Sequence, residues 1–158
     1  MLVILPTMPP EVRQVTTLEE MNDALTVRRR VFIEEQNVPE SLEIDAYDAD
    51  PATSPPALHV VAYVEGRCVA TGRLLLDAHE GEFPHVGRVA VLHEERGKGY
   101  GRVVMLALQD IARGRDMPGI TLAAQLHAIG FYETLGYVVR GDVFLDADIE
   151  HRWMDLTF

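Results

Sequence analysis

Three basic residues and three glycines share one short stretch, Arg96-Gly97-Lys98-Gly99-Tyr100-Gly101-Arg102. It follows an apolar run, Val89-Ala90-Val91-Leu92, with the composition of a strand. It opens a run from Val103 to Ala112, ended by Gly114, that reads as a helix. Glycines let a backbone approach a ligand with no Cβ atoms in the way. The first amides of a helix lack internal partners, and the helix dipole places partial positive charge there. Arg96, Lys98 and Arg102 add full charge. Strand, glycine loop and helix therefore make a site for a phosphate-bearing group. The plainer alternative is a tight turn with solvated charges.

The spacing narrows the phosphate chemistry. A Walker A loop needs Gly-Lys followed by Ser or Thr, whose hydroxyl holds magnesium. Here Lys98 is followed by Gly99 and Tyr100, which argues against a nucleotide triphosphatase. A dinucleotide fingerprint needs G-x-G-x-x-G, and the third glycine, Gly101, falls one position early.

The elements around this loop can be read in order. Residues 11–16 alternate and suit a strand. Thr17 and Glu20 fit a capping box for a helix whose apolar side is expected at Leu18, Met21, Leu25 and Phe32. Arg28-Arg29-Arg30 in that helix reads as a solvated face paired with nearby carboxylates. Pro39 ends the helical run. Between Glu34 and Asp50 lie seven carboxylates and no Lys or Arg. They form either a solvated acidic loop or a wall that attracts a cationic amine. Residues 51–56 read as a flexible connector. Residues 58–64 and 67–76 are strands joined by a Glu65-Gly66 hairpin turn, and 86–92 is the strand feeding the loop. In the following helix Val104, Ala107, Leu108 and Ile111 take core spacing. Residues 119–125 are nearly continuously apolar, as in a strand of a parallel pair buried on both faces. Leu126 to Leu135 reads as a short helix closed by Gly136, and 137–144 and 152–158 as a final pair of strands. The order β-α-β-β-β-α-β-α-β-β implies a mixed α/β sheet with helices on both faces.

Composition sets the outer bounds. A chain of 158 residues suits one domain. The net charge of −11 argues against nucleic acid as a partner, and the basic loop is a local exception suited to a small anion. Cys68 is the only cysteine, so no internal disulfide or cysteine zinc cluster is expected, and it reads as a small buried filler. The apolar start Met1 to Leu5 stops at Pro6 and is too short for a signal segment. No run is long enough to span a membrane. A cytoplasmic protein without a metal is expected.

Two motifs carry a family resemblance. Arg96-x-x-Gly99-x-Gly101 resembles the Arg/Gln-x-x-Gly-x-Gly/Ala motif of the GCN5-related N-acetyltransferases. Ala128-x-x-Phe131-Tyr132-x-x-x-Gly136-Tyr137 resembles the A-x-x-F-Y-x-x-x-G-F signature that closes their fold. Three further stretches, residues 31–39, 87–91 and 144–151, are similar to the ElaA/YjcF-like branch. In the last of these Asp148 and Glu150 stand where that branch has Gly and Pro, which bears on the local turn and on any role for His151. The resemblance covers roughly residues 11–158. It implies the acyl-CoA N-acyltransferase fold, with a mostly antiparallel sheet and one parallel pair.

The resemblance also implies chemistry: acetyl transfer from acetyl-coenzyme A to the amine of a small, cationic acceptor. Amides of Gly97, Lys98, Gly99, Tyr100, Gly101 and Arg102 would hold the pyrophosphate, with Arg96, Lys98 and Arg102 screening its charge. Backbone groups of Val89, Ala90 and Val91 would pair with the pantetheine arm and polarise the thioester, and Phe131 would flank the cofactor. Tyr132 would protonate the leaving thiolate; its plainer reading is core packing. For deprotonating the acceptor the candidates are Glu34, Glu35, Asp45 and His151, none singled out by the sequence. Arg73, Arg88 and Gln125, with Asp45 and His151, would shape the acceptor site. The alternatives are a non-catalytic domain that senses coenzyme A or binds a partner protein, and a phosphate-binding module of another kind. Folds of this type are often dimeric.

Overall fold

The computed structural model describes residues 9–158; the apolar start Met1 to Leu5 lies outside the described residues. Strand β1 (Glu11–Gln14) leads into helix α1 (Leu18–Arg28), which continues as a π-helical segment, Arg29–Glu35. A short helix α2 (Glu40–Glu43) and two 3-10 turns precede β2 (Ala57–Val64), β3 (Arg67–Leu75) and β4 (His85–Val91). Helix α3 (Tyr100–Gly114), β5 (Gly119–Gln125), α4 (Ile129–Glu133), β6 (Val138–Asp146) and β7 (Ile149–Thr157) complete the chain. The sheet runs β1-β2-β3-β4-β5-β7-β6, so β7 inserts between β5 and β6. Among the described residues only β4 and β5 pair in parallel. Apart from the short α2, element order and sheet type match the sequence reading. No helix among the described residues is long and apolar enough to cross a membrane.

Strand alternation puts helices on both faces. On β2, Val60 and Ala62 join a cluster with Val104, Met105 and Leu108 of α3. The intervening Val61 and Tyr63 join Met21 and Ala24 of α1. Gly72 of β3 permits the close approach of α3, since a Cβ there would meet Val104 at 2.8 Å and Leu108 at 2.9 Å. The larger cluster also takes in Ile120, Leu122 and Ala124, which share one face of β5.

Two features of the first helix differ from expectation. The capping box is present, with Thr17 and Glu20 as partners. Yet Leu18 is 52% exposed, and the buried stripe is Met21, Ala24, Val27 and Val31. Spacings of three and four keep these residues on the sheet side, whereas Leu18 sits at the start of the first turn. Arg28 shares that side and is 1% exposed; only Arg29 and Arg30 carry the solvated pairs expected of the triplet, with Glu40 and Glu94. The supposed connector forms a 3-10 turn, Pro51–Thr53, capped by the Asp50 side chain on the Ala52 amide at 3.0 Å. The last two strands are longer than expected and meet at a two-residue turn. Ala147 and Asp148 both take positive φ there (49° and 62°), so the chain turns without the glycine.

Candidate active site

The site starts from a disagreement between two strands. Strands β4 and β5 pair only at His85 with Thr121 and Val86 with Leu122, then diverge. The cause lies on β4. Its register against β3 slips between Ala90, opposite Thr71, and Gly87, opposite Arg73. Arg88 and Val89 together oppose Gly72, which is a β-bulge, and Arg88 takes φ 52°. The bulge bends β4 away from β5 and leaves its far half with an open edge.

The Leu92 amide bonds the Val69 carbonyl at 2.9 Å. Alternation in an antiparallel ladder then points the backbone groups of Val91 to the open edge and those of Ala90 towards β3. Of the three residues expected to meet the pantetheine arm, Ala90 thus keeps its backbone polar groups inside the sheet. The Val91 carbonyl accepts from Arg96 Nε at 3.1 Å, while its N–H stays on the open side.

The splay opens a cleft of about 390 Å³. Val89, Val91, Ala128 and Tyr132 line one part of it, and Arg73, Arg88, Gln125, His85, His151 and Trp153 another. It does not touch Glu34, Glu35 or Asp45. Glu34 is exposed, Glu35 pairs with Arg96 at 3.1 Å, and Asp45 holds Arg73 through two 2.8 Å bonds.

Beyond Val91 the backbone supplies donors. Gly97 and Gly99 take φ 80° and 87°, where a Cβ is strained. Gly99 is the N-cap of α3, and its carbonyl accepts from the Val103 amide at 3.2 Å. Among the described residues no hydrogen bond takes up the amides of Gly97 to Arg102. The side chains are placed differently from expectation. Arg96 is committed to Glu35 and the Val91 carbonyl, and Lys98 pairs with Glu95 at 2.9 Å. Arg102 alone of the three is exposed with no ion pair among the described residues. The Tyr100 ring is core, 4% exposed, so only its backbone faces the loop. Phe131 stands behind the loop, its Cζ 3.4 Å from the position of a Cβ on Gly101. It thereby ties the second motif to the first.

Tyr132 follows Phe131 on α4 and meets it edge-on at 5.0 Å between ring centres. Burial pushes its phenol up to about 12. The group keeps its proton at neutral pH.

A charged cluster underlies the far side of the cleft. Arg28 binds Glu43 at 2.9 Å and Asp48 at 2.6 and 2.9 Å, all three side chains being almost fully buried. Arg88 reaches Glu43 at 3.3 Å and Asp45 at 3.4 Å; Arg73 reaches Asp48 at 3.2 Å. Three arginines thus balance three of the carboxylates that the sequence offered as an open acidic wall. Burial alone would raise Asp48, but hydrogen bonds and charge from Arg28 hold it down at about 2. Gln36, at the end of the π-helical segment, and Gln125 exchange amide hydrogen bonds at 3.2 and 2.7 Å across the cleft.

The sequence reading missed His85, Trp153 and Gln36 as cleft residues, and placed Glu43 only among the seven carboxylates of the acidic stretch. A signal existed for one of them. Trp153 is two residues from His151 on a strand, so both point to one face.

The seven-stranded mixed sheet with its one parallel pair matches the fold of solved acyl-CoA N-acyltransferases. The acetyltransferase (GNAT) family profile matches residues 19–137, and the chain belongs to that family. It is 36% identical to the uncharacterised N-acetyltransferase YjcF of Bacillus subtilis, over 86% of this chain and 91% of that protein. Escherichia coli ElaA superposes with a TM-score of 0.79 at 25% identity, covering 93% of this chain and 99% of ElaA. An acyl-CoA N-acyltransferase from Pseudomonas aeruginosa superposes with a TM-score of 0.76 at 28% identity, covering 93% of this chain and 99% of that one. The chain is accordingly an acyl-CoA-dependent N-acetyltransferase.

Proposed function

We propose that the enzyme moves an acetyl group directly from acetyl-coenzyme A to a primary amine on a small acceptor. The observation that carries this is the open edge of β4, which runs into the unpartnered amides of Gly97 to Arg102. The diphosphate sits on those amides, each charged contact being worth about 1.5–3 kcal/mol. The pantetheine arm follows β4, and the Val91 N–H faces the thioester carbonyl, where negative charge grows during attack. Tyr132 gives its proton to the departing thiolate.

The acceptor enters from the side of Arg73, Arg88, Gln125 and His151. The arginine-carboxylate cluster there is balanced in charge. Recognition therefore rests on hydrogen bonding and shape, not on a surplus of carboxylates.

Titration calorimetry with acetyl-coenzyme A, followed by thiol-release assays across a panel of primary amines, tests the proposal. Saturable cofactor binding and thiol release with at least one amine are expected. No binding at millimolar acetyl-coenzyme A removes it. Binding without thiol release for any amine would instead identify a coenzyme A sensor on the same fold.

A further inference from the structure

We infer that His151 is the base that takes the proton from the acceptor's ammonium, an assignment that rests on the acetyl-transfer proposal. His151 is 8% exposed and lines the cleft from β7, where it pairs in register with Gln125 of β5. Its Nδ1 lies 2.7 Å from the Ile149 carbonyl oxygen. A carbonyl oxygen only accepts, so Nδ1 carries the hydrogen and the neutral ring keeps its lone pair on Nε2. Phe144 stacks on the ring at 5.8 Å with planes 25° apart, which fixes its orientation. The Nδ1 bond turns that edge back to its own strand and leaves Nε2 as the free nitrogen of a ring that lines the cleft. Among the described residues nothing bonds to Nε2.

Competing bases are disqualified by their partners or places. Glu43 lines the cleft, but one oxygen binds Arg28 at 2.9 Å and the other lies 3.3 Å from Arg88. Asp45 is held by Arg73 and Glu35 by Arg96. Other titratable groups on the His151 side are His127 in the turn before α4 and Asp146 at the β6–β7 turn. Both are exposed, and neither bonds to His151 among the described residues. His85 is exposed and turned edge-on to Trp153 at 5.5 Å. Glu150 and Arg152, its chain neighbours, alternate to the opposite face of the sheet.

The step balances as follows. The ammonium gives one proton to Nε2, and the freed amine attacks the thioester carbonyl carbon. The C–N bond forms and the C–S bond breaks, the sulfur leaving with the electron pair. The thiolate takes a proton from Tyr132, and Tyr132 recovers one from the nitrogen of the new amide. The imidazolium releases the acceptor's first proton to solvent.

His151→Asn is the test. Asn keeps an N–H donor for the Ile149 carbonyl and deletes Nε2. Calorimetry should give unchanged acetyl-coenzyme A affinity. With an amine that the wild-type enzyme acetylates, kcat/KM at neutral pH should fall about 100-fold or more. The variant must draw on neutral amine from solution, so its deficit should shrink as pH rises towards the amine's own pKa. Nitrogen-15 NMR of the wild-type histidines should find Nδ1 protonated and Nε2 bare in the neutral His151 ring. A deficit that stays constant with pH, or the opposite tautomer, overturns the assignment while leaving acetyl transfer intact. A wild-type enzyme that releases thiol with no amine overturns the assignment and the acetyl-transfer proposal together.

Discussion

The two ends of the cleft are made of different material. At the glycine loop the working groups are backbone amides, held out by positive φ at Gly97 and Gly99. At the acceptor end they are side chains, fixed by a buried network of three arginines and three carboxylates and by aromatic stacking on β7. The first end is local: one strand, the glycine loop and one helix start. The second draws on α1, α2, β3, β4, β5 and β7. Damage at the loop should therefore strike ligand affinity alone, and damage at the network should strike the fold.

The largest effect is expected at Asp48. Replacing it with Asn removes one of the two carboxylates that bind the buried Arg28, a loss of about 3–5 kcal/mol. Urea unfolding should record it as a lower midpoint with an unchanged slope. A loss below about 1 kcal/mol would mean that water reaches Arg28 and the network is surface-like. The wild-type protein should show the same dependence through pH. Asp48 is depressed in the folded state, so its contribution is fully present above the ordinary carboxylate range and fades as pH falls towards about 2.

Next in size is Gly99→Val. A β-branched residue at φ 87° is strained, and it turns aside amides that should meet phosphate. Acetyl-coenzyme A affinity should drop at least about 100-fold, while the thermal midpoint moves by only a few degrees because nothing packs within 4 Å of a Cβ there. Retained affinity would move the diphosphate off this loop.

This contrast also governs what could be read in the chain. The loop was legible because its signals are neighbours: glycines at fixed spacing, a strand before, a helix after. The capping box at Thr17 and the Glu65-Gly66 turn were legible for the same reason. The acceptor end was not. Arg28 looked like one of three surface arginines, because its partners lie 15 and 20 residues on and meet it only after α2 folds back. The insertion of β7 between β5 and β6 has no local signal, yet it brings His151 beside Gln125. The bulge at Arg88 and Val89 depends on Gly72, a residue of another strand.

Tyr132→Phe separates chemistry from packing. The hydroxyl has no bonding partner among the described residues, so its removal costs little stability, and the ring contacts with Phe131 and Tyr137 survive. Turnover should fall about 100-fold, at the lower end for a general acid, with acetyl-coenzyme A affinity within twofold of the wild type. Equal losses in turnover and in affinity would make Tyr132 a wall of the cofactor site instead of its proton donor.

The smallest effect carries the most specific sign. Arg96 belongs to the loop motif, yet Glu35 holds its guanidinium at 3.1 Å, away from the amides. Both side chains are at least one-third exposed, so their pairing is worth only about 0.2–1 kcal/mol. Glu35→Gln removes that competitor and frees Arg96 for the incoming diphosphate. Acetyl-coenzyme A should then bind a few-fold more tightly, with a steeper dependence on salt as one more cation joins the phosphates. Turnover at saturating cofactor should stay unchanged, since Glu35 does not reach the cleft. Weaker binding in the variant would mean that Glu35 orients Arg96 for the ligand, and a loss of turnover would return Glu35 to the reaction itself.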